Sequence, residues 1–194
     1  GRYTSSLVKA ILRNNHDVEI VLLLNGLFLD NIQKIKQEFE DLVPINNILI
    51  FDFLGDVDYL NPQNLLNRKV SEILYEKIIA DLQPNIFLIT SLFEGSMDNT
   101  ITSIKEYFPN LFVGVILYDL IPLISKEKYL GYEPLYNWYF EKIKFLNRAD
   151  LLFSISESSK SEAVNYLQIE SNKIINISSA VDQSIFHEVP YDAE

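Results

Sequence analysis

Six short apolar runs, separated by stretches of helical periodicity, set the strongest limit on what this chain can fold into. Val18 to Leu24 is nearly continuous, broken only by Glu19. Asn47 to Phe51, Ile86 to Thr90, Leu111 to Leu117, Leu151 to Ile155 and Ile174 to Ile177 have the same character and strand length. Runs that stay apolar on successive residues belong to strands covered on both faces. Between them the apolar spacing turns helical. Tyr3 to Asn14 carries Tyr3, Leu7, Ile11 and Leu12 on one side. Asp30 is placed to cap a second helix with Ile32, Ile35, Phe39 and Leu42 as its buried stripe. Pro62 starts a long helix reaching about Leu82, with Leu66, Val70, Ile73, Leu74 and Ile78 as its apolar positions. A short helix is expected to end near Pro109. Pro134 to Asn147 follows, with Leu135, Trp138, Tyr139, Ile143 and Leu146 as core, and Ser156 opens a last helix to Leu167.

Repeated β-α units with short connections predict an α/β fold: a doubly wound, parallel, Rossmann-like sheet with helices on both faces. Residues 1–180 form this domain, and 181–194, without period, read as the start of a linker. The chain opens on a helix, whereas such sheets open on a central strand, so the first strand is expected to be missing. The slot between Val18–Leu24 and Ile86–Thr90 should then either close directly or take a strand from a neighbouring chain, a route to self-association.

Composition removes whole classes of function. With 16 basic against 27 acidic residues the net charge is −11, which lacks the footprint of a nucleic-acid binder. There is no cysteine and only two histidines, His16 and His187, so thiolate chemistry and histidine-built metal sites have no material. Six glycines, none in G-x-G-x-x-G or Walker spacing, leave no nucleotide cradle of those kinds. No run reaches membrane-span length, no signal peptide stands at the start, and a reducing, cytoplasmic setting is the default.

In parallel sheets ligands bind outside the carboxyl ends of the strands. The acids and small residues there are the candidates. Glu94, Gly95, Ser96 and Asp98 combine carboxylates that accept hydroxyl hydrogens with room for a sugar ring, and equally suit a solvated loop. Asp119 fits both an acceptor-orienting carboxylate and a cap for the turn Leu120–Leu123. Tyr129 and Tyr132 suit an aromatic platform for sugar or lipid. Lys126, Lys128, Lys142 and Lys144 add local positive charge that suits an anionic lipid surface as well as a solvated face. Asp56-Val57-Asp58 is a D-x-D, a pattern that holds divalent metal in some sugar transferases, and in an acidic chain also arises by chance. Glu162 and Glu170 have E-x7-E spacing but read as exposed helix-surface acids, and Ser156 as a helix N-cap with Glu157 in the first turn.

Three stretches together resemble a known family. Gly1-Arg2-Tyr3-Thr4 resembles the end of a "GIGRY" loop, Tyr118-Asp119-Leu120-Ile121-Pro122-Leu123 an "HDLIPL" segment, and Arg148-Ala149-Asp150 through Ser156, Ile174, Asp182 and Phe186 an "RADlllavSe-S … vi-n-gvD---F" pattern. Asn15-His16-Asp17-Val18 is similar to the family's "GHeV" turn, and Leu92-Phe93-Glu94-Gly95 to members that build bacterial surface polysaccharides. The family is glycosyltransferase family 4, retaining enzymes with two facing Rossmann-like domains in the GT-B arrangement. The resemblance implies the amino-terminal, acceptor-side half of an enzyme that moves a sugar from a nucleotide-sugar to a glycan or lipid-linked acceptor. It implies no cofactor and no metal, a donor held mainly by a second domain, inactivity of this piece alone, and work at the inner face of the membrane, with peripheral contact. It puts Gly1 and Arg2 at the donor phosphates. Tyr118 stands where the family often has histidine; tyrosine, with a pKa of about 10, donates a hydrogen bond but is a poor base. With Asp119 it forms the expected catalytic pair. A non-catalytic ligand-binding domain and a metal-dependent transferase using Asp56 and Asp58 are the alternative readings.

Overall fold

The computed structural model describes residues 2–15 and 17–180. The expectations for Gly1, His16 and the segment 181–194 fall outside them. All pairing is parallel, as the run character predicts. Strands β1 (Leu22–Asn25) and β2 (Ile48–Phe51) pair with each other. Strands β3 (Phe87–Ile89), β4 (Val113–Leu117), β5 (Leu151–Ser154) and β6 (Ile174–Asn176) form a second ladder in the order β3-β4-β5-β6. Helices α1 (Arg2–Asn14), α2 (Leu29–Phe39), α3 (Leu65–Leu82), the single turns α4 (Ile121–Ile124) and α5 (Lys126–Tyr129), α6 (Glu133–Arg148) and α7 (Glu157–Leu167) complete the α/β fold.

The central strand is β4, whose five residues are all buried. Around it Ile89, Val115, Leu117, Leu120, Trp138, Tyr139, Leu146, Leu152 and Ala163 make one apolar core. Beneath β1 and β2 lies a second, in which Tyr75 and Ile79 of α3 pack with Phe51, Val57 and Ile101, joined by Leu23 and Phe87. On the opposite face of β1 and β2, Val8 of α1 meets Phe39, Val43 and Ile48, with Leu22 and Leu24. Lys9 Nζ ties α1 to α2 through Glu38 at 2.8 Å. Among the described residues no helix is long and apolar enough to cross a membrane.

Several expectations need correction. The run from Val18 makes a strand only over Leu22–Asn25, and none of its four residues is fully buried. The runs flanking the expected slot do not close on each other, since no ladder joins β1 to β3. Phe28, not Asp30, is the N-cap of α2, with Asp30 in its first turn. The short helix before Pro109 does not form.

The stripe on α3 turns outward in part: Ile78 packs on the second core and Val70 is half-buried, but the other three positions face solvent. Leu66 is 73% exposed and Ile73 and Leu74 are also exposed, while Arg68, Ser71, Glu72, Tyr75, Glu76 and Ile79 are buried. The cause lies in the irregular strap over residues 91–109, which replaces the expected helix between β3 and β4. Its backbone donors have no ladder and need an acceptor. Glu76, 1% exposed, accepts from the N–H groups of Glu106, Tyr107 and Phe108 at 3.1, 2.8 and 3.0 Å. Nearby Asp150 accepts from Val113 N–H and from Lys105, and Arg148 donates to the Ile104 carbonyl. Lys142 is another correction. It is no surface charge: its ammonium is buried and donates to Thr102 Oγ1 at 2.5 Å, and Thr102 donates on to the Leu92 carbonyl. Burial pushes the Lys142 amine down to about 8, against the pull of Glu141, Glu72 and Asp98.

Candidate functional site

The loops after β3 and β4 leave neighbouring positions, because Ile89 pairs with Val115 in register. They carry Glu94, Gly95, Ser96 and Asp98 on one side and Tyr118 and Asp119 on the other. Phe93 stacks on Tyr139 of α6 with centroids 5.0 Å apart. Burial raises the Tyr139 hydroxyl, with Asp119 and Glu162 near enough to raise it further. All six candidates thus sit at the carboxyl edge of the sheet.

The 118–120 segment is held from behind. Ser159 Oγ donates to the Tyr118 carbonyl at 2.6 Å, and Glu162 Oε2 accepts from Leu120 N–H at 3.0 Å. Glu162 is therefore a bracket for this loop and not a free surface acid. Ser156 accepts from Ser159 N–H at 3.1 Å, the expected N-cap of α7. Asp119 itself is exposed, and its Oδ1 accepts from Ile121 N–H at 3.0 Å, capping the turn into α4. One carboxylate oxygen is committed to the backbone; this geometry leaves the other available to a hydroxyl. The Tyr118 ring meets Tyr3 edge-on, and Tyr3 Oη reaches the Ser178 carbonyl at 3.4 Å. Burial, then Tyr118, pushes the Tyr3 hydroxyl up.

The loop after β3 is laced to the loop after β2. Tyr59 N–H donates to the Gly95 carbonyl and Leu60 N–H to the Ser96 carbonyl, both at 3.0 Å. Gly95 has φ +87°, and a Cβ there would stand 2.2 Å from the Thr100 carbonyl oxygen. Its glycine is required by the backbone. Asp98 Oδ2 accepts from Gly95 N–H at 3.1 Å, while Oδ1 is shut from solvent without a hydrogen-bond partner. Glu94 is exposed and accepts from Ser91 Oγ at 2.8 Å.

Asn99, which the sequence did not single out, organises this lacing. Its Oδ1 accepts from Val57 N–H at 2.8 Å, its Nδ2 donates to Asp56 Oδ1 at 3.0 Å, and its carbonyl accepts from Asn25 Nδ2 at 2.7 Å. Asp58 accepts from Asn61 N–H and Asn64 Nδ2. The D-x-D carboxylates thus staple their own loop. Asn61 and Asn64, which flank Pro62, are the local sequence signal of such a loop. Tyr129, at the end of α5, and Tyr132, just before α6, are exposed, and Arg2 is exposed at the start of α1. A hollow of about 200 Å³, lined in part by Leu146, Leu152, Leu167, Ile169 and Lys173, lies at the opposite, amino edge and holds none of these candidates.

The chain is similar to the serotype-specific mannosyltransferase WbdA of Escherichia coli. One such relative is 33% identical over an alignment of 195 residues that covers all of this chain and 23% of the relative. Two others of the same description are 33% identical over 187 residues, 96% of this chain and 23% of theirs. The chain thus spans about a quarter of the length of these curated relatives. It is related to a segment of a bacterial glycosyltransferase. No protein-family model matches it, and no solved structure matches it.

Proposed function

We propose that this chain is the acceptor-side domain of a retaining glycosyltransferase of family 4, with the GT-B arrangement, working in bacterial surface-polysaccharide assembly at the inner face of the membrane. The observation that carries the reading is the likeness to mannosyltransferases along the whole chain, at 33% identity. Those relatives are mannosyltransferases, which favours a nucleotide-activated mannose as donor and a growing glycan or lipid-linked glycan as acceptor.

The site chemistry is compatible. Transfer of a glycosyl group needs an acceptor hydroxyl held toward the sugar and stabilisation of the departing diphosphate. Asp119, capped in place by Ile121 N–H, accepts the acceptor's hydroxyl hydrogen, and the Tyr118 phenol donates to a donor or acceptor oxygen. Exposed Glu94 offers a further acceptor, Asp98 holds the Gly95 backbone beside it, and Tyr129 and Tyr132 supply a platform. The donor phosphates fall to the α1 start, with Arg2, and to a second domain. The isolated chain is inactive on this reading.

Full-length protein, incubated with labelled nucleotide-mannose and a lipid-linked glycan, should elongate the acceptor; labelled sugars of other types, with mannose inert, overturn the mannosyl assignment. Donor binding without any turnover favours the alternative of a non-catalytic binding domain. A strict manganese requirement, lost in Asp58→Ala, favours the metal-dependent alternative. The stapling of Asp58 to Asn61 and Asn64 supports the opposite outcome, loss of stability without a metal phenotype.

A further inference from the structure

Lys142 sits where a core residue belongs. On α6 it lies one turn after Trp138 and Tyr139 and one turn before Phe145 and Leu146, all of them buried, and it is itself 7% exposed. An apolar side chain would fill that place without taking an ammonium out of water. A group that breaks the rules of a core points to something that it holds.

Lys142 holds the neck of the loop after β3. A charged ammonium has donors only, so its hydrogen bond to Thr102 Oγ1 at 2.5 Å runs in one direction. The single Thr102 hydroxyl hydrogen is then left for the Leu92 carbonyl, which accepts it at 2.8 Å. Leu92 and Thr102 are the two ends of the loop, 2% and 5% exposed, and this bond ties them together. α6 grips the same neck one turn earlier. There Tyr139 stacks on Phe93 with centroids 5.0 Å apart, and Trp138 meets Phe93 edge-on at 6.4 Å.

Beyond the neck the loop is one stapled piece. Asp98 accepts from Gly95 N–H, and Gly95 stands so close to the Thr100 carbonyl that a Cβ has no room. A piece held this way moves as a body about its base. Two contacts fix its pose: the neck, and the lacing of the Gly95 and Ser96 carbonyls to Tyr59 and Leu60. Glu94 rides on it, exposed at the carboxyl edge.

We propose that Lys142 is a positioning residue: through Thr102 and the Leu92 carbonyl it sets the pose of the 92–102 loop, and with it the place of Glu94 against the acceptor. The proposal rests on the reading of Glu94 as an acceptor-side carboxylate. Neither Met nor Leu at 142 can donate to Thr102, which accounts for an ammonium on an otherwise apolar face.

Lys142→Met, Thr102→Val and Thr102→Ser in the full-length protein test it, with labelled nucleotide-mannose and a lipid-linked glycan. Lys142→Met should raise the acceptor KM about tenfold, with kcat and the donor KM within about twofold of wild type. Its urea midpoint should stand at or above that of wild type, so that the KM rise is not a loss of fold. Thr102→Val should give the same KM shift, whereas Thr102→Ser, which keeps the hydroxyl, should stay within about twofold of wild type. Amide exchange gives a readout without turnover. The amides of Tyr59, Leu60 and Gly95 depend on the pose of the loop, and in Lys142→Met they should exchange about tenfold faster or more, with Val113–Leu117 no faster than in wild type. An acceptor KM that stays put in both Lys142→Met and Thr102→Val overturns the proposal. So does a KM rise that Thr102→Ser shares in full, or a fall of kcat and urea midpoint together in Lys142→Met. If Lys142→Met does not fold, the contrast between Val and Ser at 102 decides. Wild-type protein that transfers no sugar removes the acceptor-side reading alone; the exchange rates then decide, and unchanged rates at Tyr59, Leu60 and Gly95 overturn the positioning role.

Discussion

The Asn25 side-chain amide donates to the Asn99 carbonyl at 2.7 Å, bridging from the end of β1 to the loop that follows β3. The same Asn99 uses its side chain to hold Val57 N–H and Asp56. Three loops at the carboxyl edge therefore share one asparagine. Asn99→Ala leaves the Val57 N–H without its acceptor and should cost about 1–3 kcal/mol in urea denaturation. Asn99→Asp sets a carboxylate against Asp56 in place of an amide donor. Its destabilisation should be larger at pH 7 than at pH 4, where protonation removes the repulsion.

Lys142 gives a pH dependence of unusual sign. Its folded value, about 8, lies below the unfolded one near 10.5. The unfolded chain binds more protons between those limits, so the Lys142 contribution to stability rises with pH from about 8 to 10.5. Below pH 8 the burial penalty is fully present. Lys142→Met should stabilise the protein at pH 7, on the order of 1–3 kcal/mol, and flatten that rise. Denaturation midpoints across pH 7 to 10.5 read both effects; a midpoint that falls on Lys142→Met at pH 7 contradicts the assignment.

Glu76 is the main acceptor for the strap backbone, taking three N–H groups. Glu76→Gln turns an amide toward those donors and should destabilise by about 2–4 kcal/mol. Faster amide exchange at residues 106–108 should accompany the loss, with the α7 region unaffected.

Asp119 separates its two duties by substitution. In the full-length protein Asp119→Asn keeps a cap oxygen for Ile121 N–H, so stability should move by less than about 0.5 kcal/mol. Turnover should fall by about a hundredfold if the carboxylate accepts the substrate proton. Equal, small changes in both would reduce Asp119 to a cap.

How far the sequence carried these results depends on which force placed each residue. Strand runs and the α6 stripe, with Trp138, Tyr139, Ile143 and Leu146, were legible because apolar burial alone decides them. The buried face of α3 was not, because Glu76 and Arg68 are inside to answer donors and a ring from elsewhere, the 106–108 backbone and Tyr59. Periodicity carries no record of a partner thirty residues away. Asp119 as cap and Ser156 as N-cap were readable from local rules, whereas the Glu162 bracket on Leu120 spans 42 residues and was read as a surface acid. Glu94, Tyr118 and Asp119 were singled out through the position of strand ends and through family resemblance, and the parallel register of β3 and β4 sets their loops side by side.

The strap has a consequence for biosynthesis. Several of its anchors come from later in the chain: Thr102 waits for Lys142, forty residues on, Ile104 for Arg148, forty-four on, and Lys105 for Asp150, forty-five on. During translation, residues 91–109 emerge from the ribosome before α6 and β5 have been made. Until those arrive, the strap is held only by earlier partners, Glu76 at one end and Asn25 with the 56–60 loop at the other, and Leu92 and Ile104 stand open to chaperones or to neighbouring nascent chains. The order of synthesis thus leaves the 102–105 part of this stretch unsealed until α6 and the start of β5 are made.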